Sequence, residues 1–442
     1  MRNFLTAAAV AAVLVAAVPG RLSAEGYQVN TLSARQIGMG HTGTALKLGA
    51  ESNIFNPAGL AFMNGMIDLS GSVTGIFASA SAKVEGLEYK TANDPSTPMS
   101  FNLGMKVYDN FKVGLSFYTP YGSGINWGEN WPGAVLNQSV SLKAFTLQPT
   151  LAWRILPNLS VGAGVMVTWG SVDLNKGLVT PSSLNAMLGA LQLPVRFEDT
   201  PASINLSGRA AVAVGVNAGV MWDISDKVTV GASFRSKMMM KVKCGDASVV
   251  YANETARNLL QLQLNILNQA NFKAEMPCAA VYNFGVSYKP VPKLILAFDA
   301  QLTGWKAYKS LEIDFLSEQL KPYNQHLEKN YRNSWTFHLG GQYSLTSRLD
   351  LRAGLMIDTT PVSMQHYNPE TPGMTKIEPS VGFSFFPIKN FSIDGSLLYV
   401  AGLGADGASC SYADLLAGKT ATFTADYKVH AWNPSIGVSF HF

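Results

Sequence analysis

Residues Glu25–Met63 read EGYQVNTLSARQIGMGHTGTALKLGAESNIFNPAGLAFM. The stretch is glycine-rich, mildly apolar, and lacks the 3.6- or two-residue period of one long helix or strand. Nearly 380 residues of repeated alternation follow with no linker between. A segment of turns set directly before so many strands is expected to fold as a plug over 25–65, inside a barrel made by 66–442.

Working outward, composition narrows the class. Apolar residues make up 47% of the 442 and charged residues only 14%, against about 25% charged in ordinary soluble chains. No internal run of about 18 apolar residues marks a spanning helix. Low charge without such helices fits a transmembrane β-barrel, whose strands carry apolar residues on alternate positions. A net charge of +4 argues against a nucleic-acid partner. At the start, Arg2, the apolar run Phe4–Val18 and Leu22-Ser23-Ala24 read as a signal peptide over 1–24, too short to span a bilayer. Export beyond the inner membrane follows, with Glu25 as mature N-terminus.

Fourteen segments alternate with period two: 66–82, 98–109, 111–119, 139–154, 158–173, 203–223, 226–243, 276–289, 293–316, 332–345, 347–360, 374–386, 389–403 and 422–442. In the tenth, Trp335, Phe337, Leu339 and Tyr343 fall on one face and Thr336, His338 and Gln342 on the other. Short turns such as Asp109-Asn110, Leu156-Pro157-Asn158 and Thr346-Ser347 alternate with long connections at 83–97, 120–138, 174–202, 244–275, 317–331, 361–373 and 404–421. Outer-membrane barrels are built this way, with the short turns periplasmic. A soluble all-β chain shares the alternation but not the signal peptide, the short/long rhythm or the aromatic strand ends at Trp153, Trp169, Trp222, Tyr288 and Tyr399. The fold class expected is an all-β, 14-stranded antiparallel transmembrane barrel with an N-terminal hatch in its lumen. The chain closes on Ile436, Val438, Phe440 and Phe442, which resembles the terminal signal read by barrel-assembly machinery.

The hatch residues Ser33-Ala34-Arg35-Gln36-Ile37-Gly38-Met39-Gly40 and Asn56-Pro57-Ala58 resemble the N-terminal hatch of the FadL-type long-chain fatty acid transporters of Gram-negative outer membranes. Thr303–Lys309, Leu351–Leu355 and Asp358–Val362 are similar to the same family. The resemblance implies a hatch in the lumen of a fourteen-stranded barrel and a hydrophobic cargo that leaves sideways through the wall. Gly26, Tyr27, Arg35, Gly38, Gly40, Asn56, Pro57 and Ala58 are the expected hatch and gate residues. In the family the third strand bends inward and opens a window; here Pro120, Gly122 and Gly124 break the strand pattern. An ordinary exit from strand to loop is the alternative.

Two loops carry apolar helical stretches: Leu184, Met187, Leu188, Leu191 and Leu193, then Leu259, Leu260, Leu262, Leu264, Ile266 and Leu267. Leucines on a wetted loop must cover something. They either form a groove that captures an alkyl chain or pack on one another. A cargo carboxylate needs a partner once it leaves water. Strand parity offers Arg235, Lys237, Lys241 and Arg352 as head-group candidates, unless they pair with Asp299, Asp350 or hatch acids. Cys244 and Cys278 bracket the fourth loop and are expected to bridge its base, with Cys410 left over.

Gly38–Gly43 matches G-x-G-x-x-G, but no βαβ unit surrounds it, so glycines that permit close backbone approach are the better reading. The six histidines show no local catalytic motif, no metal-ligand spacing occurs, and neither enzyme activity nor a cofactor is expected. Expected partners are hydrophobic small molecules, outer-membrane lipid, lipopolysaccharide and the assembly machinery; the chain is expected to be a monomer. Uptake of aromatic hydrocarbons or other amphiphiles is the alternative to fatty acids, ahead of a hydrophilic porin or an outer-membrane hydrolase.

Overall fold

The computed structural model describes residues 26–264 and 268–442. The signal-peptide reading of 1–24, Glu25, Ile266 and Leu267 lie outside the described residues.

Fourteen antiparallel strands form one sheet that closes on itself. In chain order the first five are β1 (Ile67–Thr74, resumed at Phe77–Val84), β2 (Met99–Tyr108), β3 (Phe111–Asn126), β4 (Ser139–Leu156) and β5 (Leu159–Gly177). Next come β6 (Ala202–Asp223), β7 (Val228–Arg235, then Met238–Tyr251) and β8 (Gln269–Cys278, then Val281–Val291). β9 joins Leu294–Thr303 to Ser310–Phe315, and β10 joins Gln325–Glu328 to Ser334–Thr346. β11 (Leu349–Asp358), β12 (Lys376–Ile388), β13 (Phe391–Gly402, then Ala405–Asp414) and β14 (Lys419–His441) complete the ring. β14 pairs with β1 from Asp68↔His441 to Thr74↔Ser435 and again from Phe77↔Trp432 to Lys83↔Asp426. Closure removes the exposed edge that an open sheet would present to lipid.

The alternation is visible in which side chains are covered. Along β14, Trp432, Ile436, Val438 and Phe440 are exposed on the outer face, while Ala431, Asn433, Ser435 and Ser439 are buried inside. Outward apolar side chains meet hydrocarbon, and inward small polar ones are free to hydrogen-bond to whatever fills the lumen.

Each of the fourteen alternating segments overlaps one strand, but several strands run farther upward than the sequence suggests. β3 continues to Asn126 rather than 119, β7 to Tyr251 rather than 243, and β8 begins at Gln269 rather than 276. Above the bilayer both faces of a strand are wetted or packed by loops, so backbone pairing continues after the apolar/polar alternation ends. Two loop helices sit at this end, α3 (Pro181–Ala190) and α4 (Glu254–Leu264); the shorter α1 (Ala34–Ile37) and α2 (Ser52–Phe55) belong to the segment before β1.

That segment, residues 26–65, lies within the ring. Leu32, Ala34, Ile37, Ala50, Ile54, Ala58 and Leu60 are all at most 2% exposed. Its interface with the wall depends on backbone meeting backbone. Gly40 has a φ of +63°, and a methyl added to it would stand 2.6 Å from Leu339 O. A methyl on wall residue Gly354 would overlap Gly40 N, and one on Gly162 would overlap Pro57. Thus Gly38–Gly43 serves close approach, not phosphate binding.

Candidate functional site

The polar inner face of the barrel holds the hatch by its main chain. Asp299 Oδ2 accepts from Gly43 N at 2.7 Å and from Thr44 N at 2.8 Å. Ser160, Ser233 and Ser287 donate to Ala58 O, Phe55 O and Ala45 O at 2.8–2.9 Å. Asn56 is the hub of the Asn56-Pro57-Ala58 motif. Its Nδ2 donates to Thr44 O at 2.7 Å and to Val220 O of β6 at 3.0 Å, while its Oδ1 caps the following 3-10 turn by accepting from Ala58 N at 3.1 Å. Gly219 of β6 leaves room for that carboxamide, since a methyl there would overlap it.

A buried charge cluster joins the hatch to the wall. Arg35 faces Glu51, Asp394, Asp68 and Asp350; Ser33 Oγ donates to Glu51 Oε2 at 2.9 Å. Arg352 Nε donates to Gln342 Oε1 at 2.8 Å, its Nη1 to Ser384 Oγ at 2.7 Å, and its Nη2 is 4.0 Å from Asp350.

The wall changes character halfway up β3. β2 pairs with it only as far as Ser100↔Tyr118. A bulge at Thr119–Pro120 shifts the register with β4 on the other side, from Tyr118↔Thr146 to Tyr121↔Ala144. Proline cannot donate to a ladder, so a break at Pro120 is its natural position. Above the break the edge facing β2 is met by hatch backbone instead: Gly122 N donates to Tyr27 O at 3.0 Å and Val29 N to Pro120 O at 2.9 Å. Higher still, Ala92 N donates to Asn126 O at 2.8 Å, and Asn126 N to Asn93 Oδ1 at 2.7 Å. A cavity of about 740 Å³ lies here, bordered by Gln28, Val29, Gly122 and Gly124. Its lining includes Met99 and Lys143, exposed on the outer face, and Ala431 and Asn433 from the inner face.

Beside this cavity, and sharing Ser123, Val140, Leu142 and Thr371 with it, lies a second, apolar pocket in the upper lumen, walled by Leu174, Met240, Phe272, Met276 and Tyr27. The Tyr27 hydroxyl donates to Pro277 O, and its ring packs edge-on against Trp305 at 4.8 Å and Tyr308 at 5.9 Å. A third cavity, about 490 Å³, lies above, between Leu178, Ile204, Val249, Phe315 and Leu320, with Lys176, His326 and His366 at its polar end.

The loop leucines divide. Leu184, Leu188 and Leu260 are buried in one cluster with Leu178, Ile204 and Phe315, flanked by half-buried Met187 and Leu259, whereas Leu191 and Leu193 are exposed. Neither Leu184, Leu188 nor Leu260 borders any of these three cavities. They seat the helices on the barrel rim, and the upper cavity is lined by strand ends together with loop residues such as Val135, Leu178, Leu320 and His366. The side chains of Leu262, Leu264, Ile266 and Leu267 lie outside the described set.

The head-group candidates need correction. Arg235 Nη2 donates to Ile54 O at 2.5 Å and so fastens the hatch. Lys237 and Lys241 lie on the outer face, because the break at Ser236–Lys237, where Ser236 Oγ accepts from Val216 N, reverses the inward parity. Lys241 pairs with Glu275 at 2.7 Å. Arg352 is held beside Asp350 in the charge cluster between hatch and wall. None of the four lines any of the three cavities described above. The basic groups at the upper lumen are instead Lys176, whose Nζ donates to Gln325 Oε1 at 2.6 Å, and Lys329, which pairs with Glu370. The sequence reading missed both because they sit near strand ends, where parity is lost.

The disulfide expectation also fails. Cys244, Cys278 and Cys410 are free thiols. Cys278 pairs across the ladder with Met238, six residues from Cys244 along β7, or about 20 Å at about 3.4 Å per residue, far beyond bridging distance.

Aromatic groups went unrecognised too. Trp127 stacks on Trp131 at 4.6 Å, and Tyr367 on Tyr427 at 4.6 Å, roofing the lumen beside Tyr27, Trp305 and Tyr331. Trp127 and Trp131 could have been found as two tryptophans in a loop expected to be wet.

Residues 15–442 match the family model described as outer membrane protein transport protein (OMPP1/FadL/TodX). The chain is 23% identical to outer membrane protein P1 of Haemophilus influenzae, with 91% of each chain covered. It is 20% identical to the long-chain fatty acid transport protein of Escherichia coli, covering 88% of this chain and 91% of that one. Among solved structures, a FadL homologue of Pseudomonas aeruginosa superposes with a TM-score of 0.77 at 19% identity, covering 94% of this chain and all of that one. The Pseudomonas putida toluene transporter TodX gives 0.71 at 16% identity, with 93% and 98% covered. The chain belongs to the OMPP1/FadL/TodX family of outer-membrane transport proteins, and its place is the outer membrane of a Gram-negative bacterium.

Proposed function

We propose that the chain is a passive conduit for hydrophobic small molecules, long-chain fatty acids foremost. A molecule enters the upper cavity among the loops, moves to the apolar pocket beside Tyr27, and leaves sideways between β2 and β3 when Tyr27–Val29 is displaced. The observation carrying this reading is that hatch backbone, not β2, meets β3 at Pro120 and Gly122. Two hydrogen bonds there are far easier to break than a strand ladder. Burial of alkyl carbon is worth about 0.8 kcal/mol per CH₂, so ten methylenes in the pocket contribute about 8 kcal/mol with no polar contact. Movement is downhill and needs no catalytic step. The similarity to a protein named for long-chain fatty acids supports this cargo.

One observation favours a second reading, an uncharged aromatic hydrocarbon. The charged residues bordering the apolar pocket are both acids, Glu275 and Glu370, and each is already paired with a lysine, Lys241 and Lys329, which leaves neither lysine free to meet a carboxylate. Proteoliposome uptake of labelled oleate, set against labelled toluene and against swelling in sugar, separates the cases. Saturable oleate uptake without sugar swelling supports the first reading, and toluene uptake alone the second. Sugar swelling at porin-like rates refutes both.

A further inference from the structure

The outer face of the barrel carries a row of cations to which the transport reading gives no role, although one of them, Lys143, also borders the cavity beside β3. Lys143 of β4 lies opposite Ser171 of β5, and Ser171 lies opposite Arg209 of β6. Arg209 in turn faces the bulge of β7 that contains Lys243, between Val242↔Ala210 and Asp246↔Ser207. On the far side of that bulge stands Lys273 of β8, next to Phe272↔Gly245. All four cations are exposed while their strand neighbours Ala144, Val242 and Phe272 are buried, so they project outward. Four strand gaps at about 4.8 Å put them along an arc of about 19 Å. Lys273 has Asp314 at 3.5 Å, but Lys143, Arg209 and Lys243 have no ion-pair partner among the described residues.

Height fixes what this row meets. Just below it the outer face turns apolar: Phe145 and Trp169 lie two residues down β4 and β5, their rings 6.4 Å apart. On β6, Val212, Val214, Val216, Val220 and Trp222 are all exposed. Ten steps from Val212 to Trp222, at about 3.3 Å each and tilted about 40°, rise about 25 Å, the height of the apolar band of an outer-membrane barrel. The cations therefore stand at the level of the head groups, on the side of the long loops, which faces out of the cell.

We propose that Lys143, Arg209, Lys243 and Lys273 form a binding site for the phosphate groups of outer-leaflet lipopolysaccharide. Juxtamembrane cations without internal partners attract anionic head groups, and phosphorylated glycolipid is the anionic lipid of that leaflet. The purified full chain is titrated with bisphosphorylated lipid A and with dephosphorylated lipid A, binding being read by native mass spectrometry. Two variants accompany it: K143Q/R209Q/K243Q/K273Q, and the charge-keeping K143R/R209K/K243R/K273R. Heat-modifiable gel migration reports whether each barrel is folded. The glutamine variant is expected to bind the phosphorylated lipid at least about tenfold more weakly, the charge-keeping variant to match wild type, and dephosphorylation to have the same effect as the glutamines. Equal binding by a folded glutamine variant overturns the proposal. If that variant does not fold, equal binding of both lipids by wild type overturns it, and selective binding lost in high salt supports it.

Discussion

Tyr27→Ala tests how the wall beside β3 is held shut. Tyr27 is 2% exposed, packs on Trp305, Tyr308 and Tyr121, and donates its hydroxyl to Pro277 O. Truncating a buried aromatic costs about 3–5 kcal/mol, and the lost hydrogen bond adds about 1 kcal/mol. The barrel ladders do not pass through Tyr27, so the loss falls on the local closed state, which Gly122 N to Tyr27 O and Val29 N to Pro120 O report. Even about 3 kcal/mol corresponds to more than a hundredfold in the opening equilibrium. Hydrogen exchange in detergent should therefore show the Gly122 and Val29 amides exchanging about a hundredfold faster, with β11 and β12 amides unchanged. Unchanged protection at Gly122 would refute the reasoning. Uniform loss throughout the barrel would refute it as well, since Tyr27 would then be holding the whole fold.

Other residues make equally definite claims. Gly354→Val puts a side chain where Gly40 N now lies; the hatch should be dislodged, seen as protease cleavage between residues 26 and 65 in a barrel that still shifts on heating. Burial, with His338 and Arg235 nearby, pushes the His41 imidazole well below its ordinary value, and Leu32 N approaches its Nε2 at 3.4 Å. The released hatch takes up that proton first, so hatch stability should be full above about pH 6.5 and fall as pH drops further. Exchange at 38–44 measured at pH 7.5 and 5.5 checks this, and His41→Asn should flatten the difference. Maleimide should label Cys244 in unreduced native protein and reach Cys278 only after denaturation; native labelling of neither would restore the disulfide.

Strand number and facing were legible because lipid outside and a packed hatch inside impose opposite demands on successive residues. Trp335 and Thr336 show the rule, one exposed at 41% and the other at 0%. Where those demands lapse, the reading lapsed. The two-residue break at Ser236–Lys237 turned Lys237 and Lys241 outward, and no hydrophobic signal marks a bulge between polar residues. The reach of β7 and β8 above the membrane carried Cys244 and Cys278 out of register. The Pro120 break was legible from local chemistry, but its partner was not: Tyr27 and Val29 meet β3 from about ninety residues away, a pairing with no periodic trace. The roofing pair Trp127 and Trp131 shares that difficulty, since a loop folded inward has the composition of a core and the position of a surface.

A covalent clamp on the gate provides the most direct test of sideways release. With Cys244, Cys278 and Cys410 replaced by serine, Gln28→Cys and Tyr121→Cys place thiols on the residues that face each other in the bridge between hatch and β3. Oxidised protein in proteoliposomes should lose uptake of labelled oleate and regain it on reduction, while the single-cysteine variants transport throughout. Full uptake by the completely oxidised double variant would contradict release between β2 and β3.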